Sequence, residues 1–451
     1  MKMQYRYKRA IALTLLPLTC FFLNKYPVSL SHNSYPSNLP IAAAQEETPA
    51  NVIPPSLTGL PERDQAEAWQ GTDGELVLRS VGDVLIHDRV SWLADIDSPV
   101  YQAHLAELIA DGFLTKDGDI VGAEIVDFNL DSEQYDFRSM LARIAPYMSY
   151  ADVTIANLEV IAAYPALPVT GYPQFNAPAS ILVALKQIGV DIVSNGTNHT
   201  LDWFSEGAHA SIANLQAAGL MYTGSYESQE DFQTPRIIEA NGISLGFLTY
   251  TYGTNGIPIP AGEEYLVSLV DLPTMLAEVE WLKAQVDAVI VTLQLGPEYG
   301  TLPDEQQLSI FDALAEAGVK LILGGHPHVL QPVAWLNDKQ TFAIYSQASF
   351  LSGQRDLDNK QGGITEVTFK RQANGEVLVT EPKFMPIFML GVEGEKQYET
   401  VPLADTDLLA IPEGDFWYAY LKDHLASLTD DFAFVSFLET EWTLEAVDFQ
   451  R

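Results

Sequence analysis

Glu75-Leu-Val-Leu-Arg-Ser-Val81 alternates polar and apolar residues and then breaks at Gly82-Asp83, with His87 and Asp88 close behind. Period-two alternation predicts a strand with one face on a core. The polar cluster after it sits where α/β sheets place ligands, at the carboxyl end of a strand. The arrangement recurs along the chain. Short β-rich runs are Val153–Ala156, Val190–Val193, Ile243–Leu248, Ala288–Leu293, Lys320–Leu323 and Phe342–Tyr345. Helical patterns fall between them at Ala177–Ile188, Glu206–Ala218, Leu272–Gln285 and Asp304–Ala317. Strands alternating with helices at this spacing predict an α/β domain with a largely buried sheet. Residues 371–451 read as a strand-poor, acidic, aromatic C-terminal extension packed on the main domain.

Several strand ends carry potential ligands. Asp83 with His87 follows the first, and Asn157-Leu-Glu159 the second. Asn198-His199-Thr-Leu-Asp202 follows the third. Glu298 lies in Gly296-Pro-Glu-Tyr299, and His326-Pro-His328 follows Gly324-Gly325. Each piece has an ordinary reading. Gly-Asp after a strand makes a turn or helix cap, and a lone His is a capping or core histidine. His326-Pro-His328 is more specific, because the proline fixes the backbone between two imidazoles. Together they match what a divalent-metal phosphoesterase needs. Carboxylates, an Asn carbonyl and imidazoles bind metal, and a nearby His protonates the leaving group.

Bulk properties narrow the partners. The 451 residues carry a formal charge of -36. Of 24 basic residues, five lie in residues 1–44, leaving 19 against 60 acidic ones. So acidic a surface repels a phosphate backbone, which excludes nucleic acid as an expected partner. The single cysteine, Cys20, rules out a disulfide framework and a zinc–thiolate site. A basic segment from Lys2 to Arg9 precedes an apolar run from Ala10 to Leu23. Residues 1–44 therefore read as a signal peptide or signal anchor, and 45–75 as a linker to a domain at 76–370. Export to the extracellular face of the membrane, or secretion, is the expectation.

These residues resemble the CapA-type capsule and poly-gamma-glutamate synthesis family. Gly82-Asp83-Val-Leu-Ile-His87-Asp88 is similar to its opening motif, and Ala156-Asn-Leu-Glu159 to its second. Tyr135-Asp-Phe137 and Phe175-Asn-Ala-Pro178 match shorter elements. Asn198-His199-Thr-Leu-Asp202, Thr249-Tyr-Thr-Tyr252-Gly-Thr-Asn255-Gly256 and Gly324-Gly-His-Pro-His-Val-Leu-Gln331 complete the series over about residues 78–370. The resemblance implies a metallophosphoesterase-like four-layer α/β/β/α sandwich, akin to the calcineurin-like phosphoesterases. It implies Asp83, Glu159, Asn198, His326 and His328 as ligands of a divalent metal (Mn, Mg, Zn or Fe). It implies His199 as general acid, with Asp202 in the same catalytic motif. His87, Asn157, Tyr252, Asn255, Gln294, Glu298 and Ser349 would bind substrate or support the site. Two positions depart from the family pattern. Gln294 replaces an imidazole, and Ser349 replaces an Asn in Tyr345-Ser-Gln-Ala-Ser-Phe350. An amide is a much weaker metal donor than an imidazole. Two function classes follow: a metal-dependent hydrolase serving capsular polymer or poly-gamma-glutamate synthesis or export, and a non-catalytic scaffold for the polymer or its membrane synthase complex.

Overall fold

A computed structural model describes residues 71–123, 134–392 and 396–440. The expected leader with Cys20, and the expected linker up to residue 70, lie outside the described residues. Among the described residues no helix is long and apolar enough to cross a membrane.

The strands in chain order are β1 Glu75–Leu85, β2 Val153–Leu158, β3 Ile161–Tyr164, β4 Asn176–Pro178, β5 Ile192–Ser194, β6 Met221–Thr223, β7 Arg236–Ala240 and β8 Ile243–Thr251. They continue as β9 Ala288–Gln294, β10 Leu321–Gly325, β11 Leu330–Leu336, β12 Thr341–Gln347, β13 Ser349–Ser352, β14 Gln361–Arg371, β15 Val377–Val392, β16 Lys396–Pro402 and β17 Ala433–Phe434. One sheet runs β16-β15-β14-β1-β2-β5-β6, and a second runs β11-β12-β10-β9-β8-β7. In the first, β1, β2, β5 and β6 are parallel. In the second, β8, β9, β10 and β12 are parallel.

The sheets face each other. Leu76, Leu78, Val153 and Ile155 of the first pack with Leu245, Phe247, Ile290, Leu323 and Ile344 of the second in one fully buried cluster. The outer face of the second sheet is closed by helices Leu272–Lys283 and Glu305–Glu316, through Met275, Val279, Leu282, Phe311 and Leu314. Helices Ser180–Gln187 and Phe204–Ala217 cover the first sheet through Ile181, Leu185, Ile212 and Leu215. The result is an α/β/β/α sandwich. Each fully buried aliphatic side chain contributes about 1.5–3 kcal/mol, so the layers are held mainly by these three cores. The expected helices and parallel strands all occur, with boundaries shifted by a few residues.

The strand-poor expectation for residues 371–451 is corrected. β15 spans sixteen residues and pairs antiparallel with β14 and β16. Two prolines, Pro382 and Pro386, hide it from a sequence reading. The β14–β15 register slips between Glu366 and Thr368, leaving Glu381 and Pro382 as a bulge with Glu381 at φ 50°. A bulge is where a sheet tolerates a residue without an N–H.

Candidate functional site

Two rows of residues, one from each sheet, build the floor of the site. In the first sheet the register aligns Asp83 with Ser349 on one side and Asn157 on the other, and Asn157 with Ser194. In the second it aligns Gln294 with Thr251 and with Gly325. The rows meet at Gly325. A Cβ there would lie 2.8 Å from Asp83 Oδ1, 2.8 Å from Gln294 Oε1 and 2.9 Å from Asn157 Nδ2. Only glycine lets these polar groups converge.

The floor is tightly wired. Ser194 Oγ donates to Asn157 Oδ1 at 2.6 Å, which turns Asn157 Nδ2 toward Asp83 Oδ1 at 2.7 Å. Asp83 Oδ2 then lies 3.0 Å from His328 Nδ1. Above it stand Glu159, His326 and His328, all buried, whose ligand atoms lie within 4.8 Å of one another. His326 Nδ1 and His328 Nδ1 are 3.7 and 3.5 Å from the Glu159 carboxylate. Both histidines have positive φ, 92° and 59°. A non-glycine residue in that region carries strain that persists only where surrounding structure imposes it, as at functional sites.

The electrostatics of this cluster are unusual. Burial, reinforced by the Asp83 charge, pushes the Glu159 carboxyl well above its ordinary range. Burial lowers His326. At His328 burial acts downward too, but the Glu159 and Asp83 carboxylates outweigh it and raise the imidazole. Among the described residues, both Glu159 oxygens, Asn198 Oδ1, His326 Nδ1 and both amide atoms of Gln294 are buried without a hydrogen-bond partner. Orphaned buried donors and acceptors are rare and costly. The convergence of Glu159, His326 and His328 fits a divalent cation, which would satisfy carboxylate and imidazole atoms together.

A second group lies beside the first. His199 Nδ1 is 2.8 Å from Asp202 Oδ2, which also accepts from Phe175 N at 2.7 Å. The short contact places the imidazole proton on Nδ1 and directs Nε2 elsewhere. The Phe175 ring meets the His199 ring edge-on at 4.8 Å. Tyr252 and Asn255 link the two groups. Asn255 Oδ1 accepts from Tyr252 OH at 3.2 Å and from Asn198 Nδ2 at 3.4 Å, while the Tyr252 ring packs on His326 at 4.6 Å.

The remaining expected residues are more peripheral. His87 sits on the other side of Phe175, at 5.0 Å between rings, with Nδ1 3.0 Å from Leu85 O. Burial lowers its pKa to about 4. Ser349 is buried next to Asp83, and its hydroxyl has no partner among the described residues. Glu298 is exposed on its loop and acts on Glu159 and His326 through its charge alone. Sequence reasoning missed Ser194, which carries no local signal because it matters only through strand register.

Two facing sheets with helices outside thus form an α/β/β/α sandwich with carboxylate, amide and imidazole donors gathered at its strand ends. Residues 77–354 match the family described as Bacterial capsule synthesis protein PGA_cap, and the chain belongs to that family. It is 22% identical over 306 residues to the PGA biosynthesis protein CapA of Bacillus subtilis (strain 168), covering 64% of this chain and 75% of that one. It is 25% identical over 280 residues to the capsule biosynthesis protein CapA of Bacillus anthracis, covering 59% of this chain and 65% of that one. Similar solved structures include the calcineurin-like phosphoesterase YfkN of Bacillus subtilis, at 14% identity and TM-score 0.38, covering 69% of this chain and 90% of that one. Another is a phosphatase from Mycoplasma pneumoniae, at 14% identity and TM-score 0.38, covering 70% and 94%.

Proposed function

We propose that this protein is exported and acts at the cell envelope in the synthesis or export of a capsular polymer such as poly-gamma-glutamate, beside a membrane synthase complex, through a metal-dependent hydrolytic site. The observation that carries the reading is the set of buried, partnerless atoms on Glu159 and His326, gathered with His328 over the Asp83 floor. Asp83, Glu159, Asn198, His326 and His328 would hold the metal. A bound divalent ion there supplies Lewis-acid polarisation of a phosphoryl oxygen. The chain's own groups do the rest. Asp202 holds the His199 proton on Nδ1, and His199 Nε2 delivers a proton to the leaving oxygen. Gly325 keeps the floor open. Deleting the gene in its host should abolish surface polymer. Wild-type protein should restore it and the near-isosteric Asp83→Asn should not; restoration by Asp83→Asn would remove the site from the function.

The scaffold reading is favoured by one observation. Gln294 occupies the floor where an imidazole is expected, and its amide satisfies nothing among the described residues. A metal pair lacking that donor is incomplete, so the reading predicts one ion per chain at most. Gln294→His should then raise the metal content measured by elemental analysis from about one to about two per chain, since imidazole is the better donor. An unchanged content would show that position 294 does not limit the site.

A further inference from the structure

A second cleft, of about 400 Å³, opens outside the metal cluster, and Asp88, Trp92, Thr170, Tyr172, Gln174 and Trp203 line it. Trp92 is 60% exposed and Tyr172 82%. Large rings left open to water around one cleft mark a binding surface more often than an accident of packing.

The cleft is built rather than loose. Trp203 Nε1 donates to Thr170 Oγ1 at 3.1 Å, and Thr170 Oγ1 donates to Gln174 O at 2.6 Å. The loop presses on Asp88 so closely that a Cβ at Gly171 would lie 2.7 Å from Asp88 Cγ. The cleft also lies close to His199. Gln174 Nε2 donates to Asp202 O at 2.8 Å. The Tyr172 ring stands 6.3 Å from Phe175, whose ring lies 4.8 Å from His199. Whatever occupies the cleft therefore sits across the Phe175 ring from that imidazole.

The chemistry of the lining selects the occupant. It offers aromatic faces, a hydroxyl, an amide and one carboxylate, and no Lys, Arg or His. With a formal chain charge of -36, it repels a polyanion such as poly-gamma-glutamate. A neutral sugar fits: its C–H faces pack on rings, and its hydroxyls donate to the carboxylate and accept from the amide. We infer that this cleft is a glycosyl subsite that holds a neutral sugar unit next to His199. The relation of that sugar to the chemistry rests on His199 acting in the proposed site; the sugar binding does not.

Calorimetric titration of the full, metal-loaded chain tests it, with cellotetraose, tetra-N-acetylchitotetraose, adenosine and poly-gamma-glutamate as probes. One of the neutral tetrasaccharides should bind saturably. Trp92→Ala and Tyr172→Ala should each weaken it about tenfold, the loss expected for one ring contact, with metal content and melting temperature unchanged. Sugar binding that survives chelation would support the cleft even if the metal reading fails. No saturable binding of either tetrasaccharide at millimolar concentration overturns the inference. So does an affinity unmoved in both variants, or adenosine or poly-gamma-glutamate binding that Trp92→Ala abolishes.

Discussion

Removing divalent metal with a chelator should lower the melting temperature of the wild-type protein by several degrees and leave that of His328→Ala nearly unmoved. The reason lies in what the cluster costs without a cation. Glu159 is wholly buried, and no described residue donates a hydrogen bond to its carboxylate. Asp83, also wholly buried, adds a second carboxylate beneath it. A bound ion removes that penalty, and at a free concentration a hundred times Kd it adds about 2.7 kcal/mol to stability. Glu159→Gln sharpens the test, because its sign depends on the metal. In chelator the variant should melt above wild type, since it removes one of two acidic groups, Asp83 and Glu159, crowded together in the interior with no cation between them. In excess metal the order should reverse, since the amide is the poorer ligand. If chelation moves neither protein, or if the two keep the same order in both conditions, the cluster holds no metal.

What was readable in the chain follows from what is local. Val153–Ala156, Ala288–Leu293 and Lys320–Leu323 are apolar runs bounded by polar clusters, and they form the parallel strands that carry the site. The helix starting at Glu305 was readable because Asp304 caps it, accepting from Gln307 N at 2.8 Å while Gln307 Oε1 accepts from Asp304 N. What was not readable is non-local. The row Ser349–Asp83–Asn157–Ser194 joins strands separated along the chain by 37 to 266 residues, and register between distant strands leaves no mark on a single sequence. β15 was hidden for a different reason. Its prolines argue against a strand until the bulge that accommodates Pro382 is seen. The aromatic cleft was missed because Trp92 and Tyr172 come from segments about 80 residues apart.

The largest kinetic effect should appear at His199, and the leaving group should decide its size. A general acid matters in proportion to how badly the departing oxygen needs a proton. With a nitrophenyl phosphodiester the phenolate leaves unaided, so His199→Ala should change kcat only a few-fold. With an alkyl phosphoester the departing alkoxide is strongly basic, and kcat should fall about 10²–10⁴-fold. Metal content should not change in either case, because His199 is not one of the three residues whose ligand atoms cluster together. Asp202→Asn should reproduce the leaving-group dependence more weakly. It keeps a hydrogen-bonding group 2.8 Å from Nδ1 but can donate there, which favours the tautomer with the proton on Nε2 and withdraws support from the imidazolium. Equal losses with both esters would show that His199 positions substrate instead of donating a proton. Wild-type protein that binds metal and turns over neither ester would leave the scaffold reading in possession of the site, with the His199–Asp202 pair serving to order the Phe175 loop through its 2.7 Å hydrogen bond.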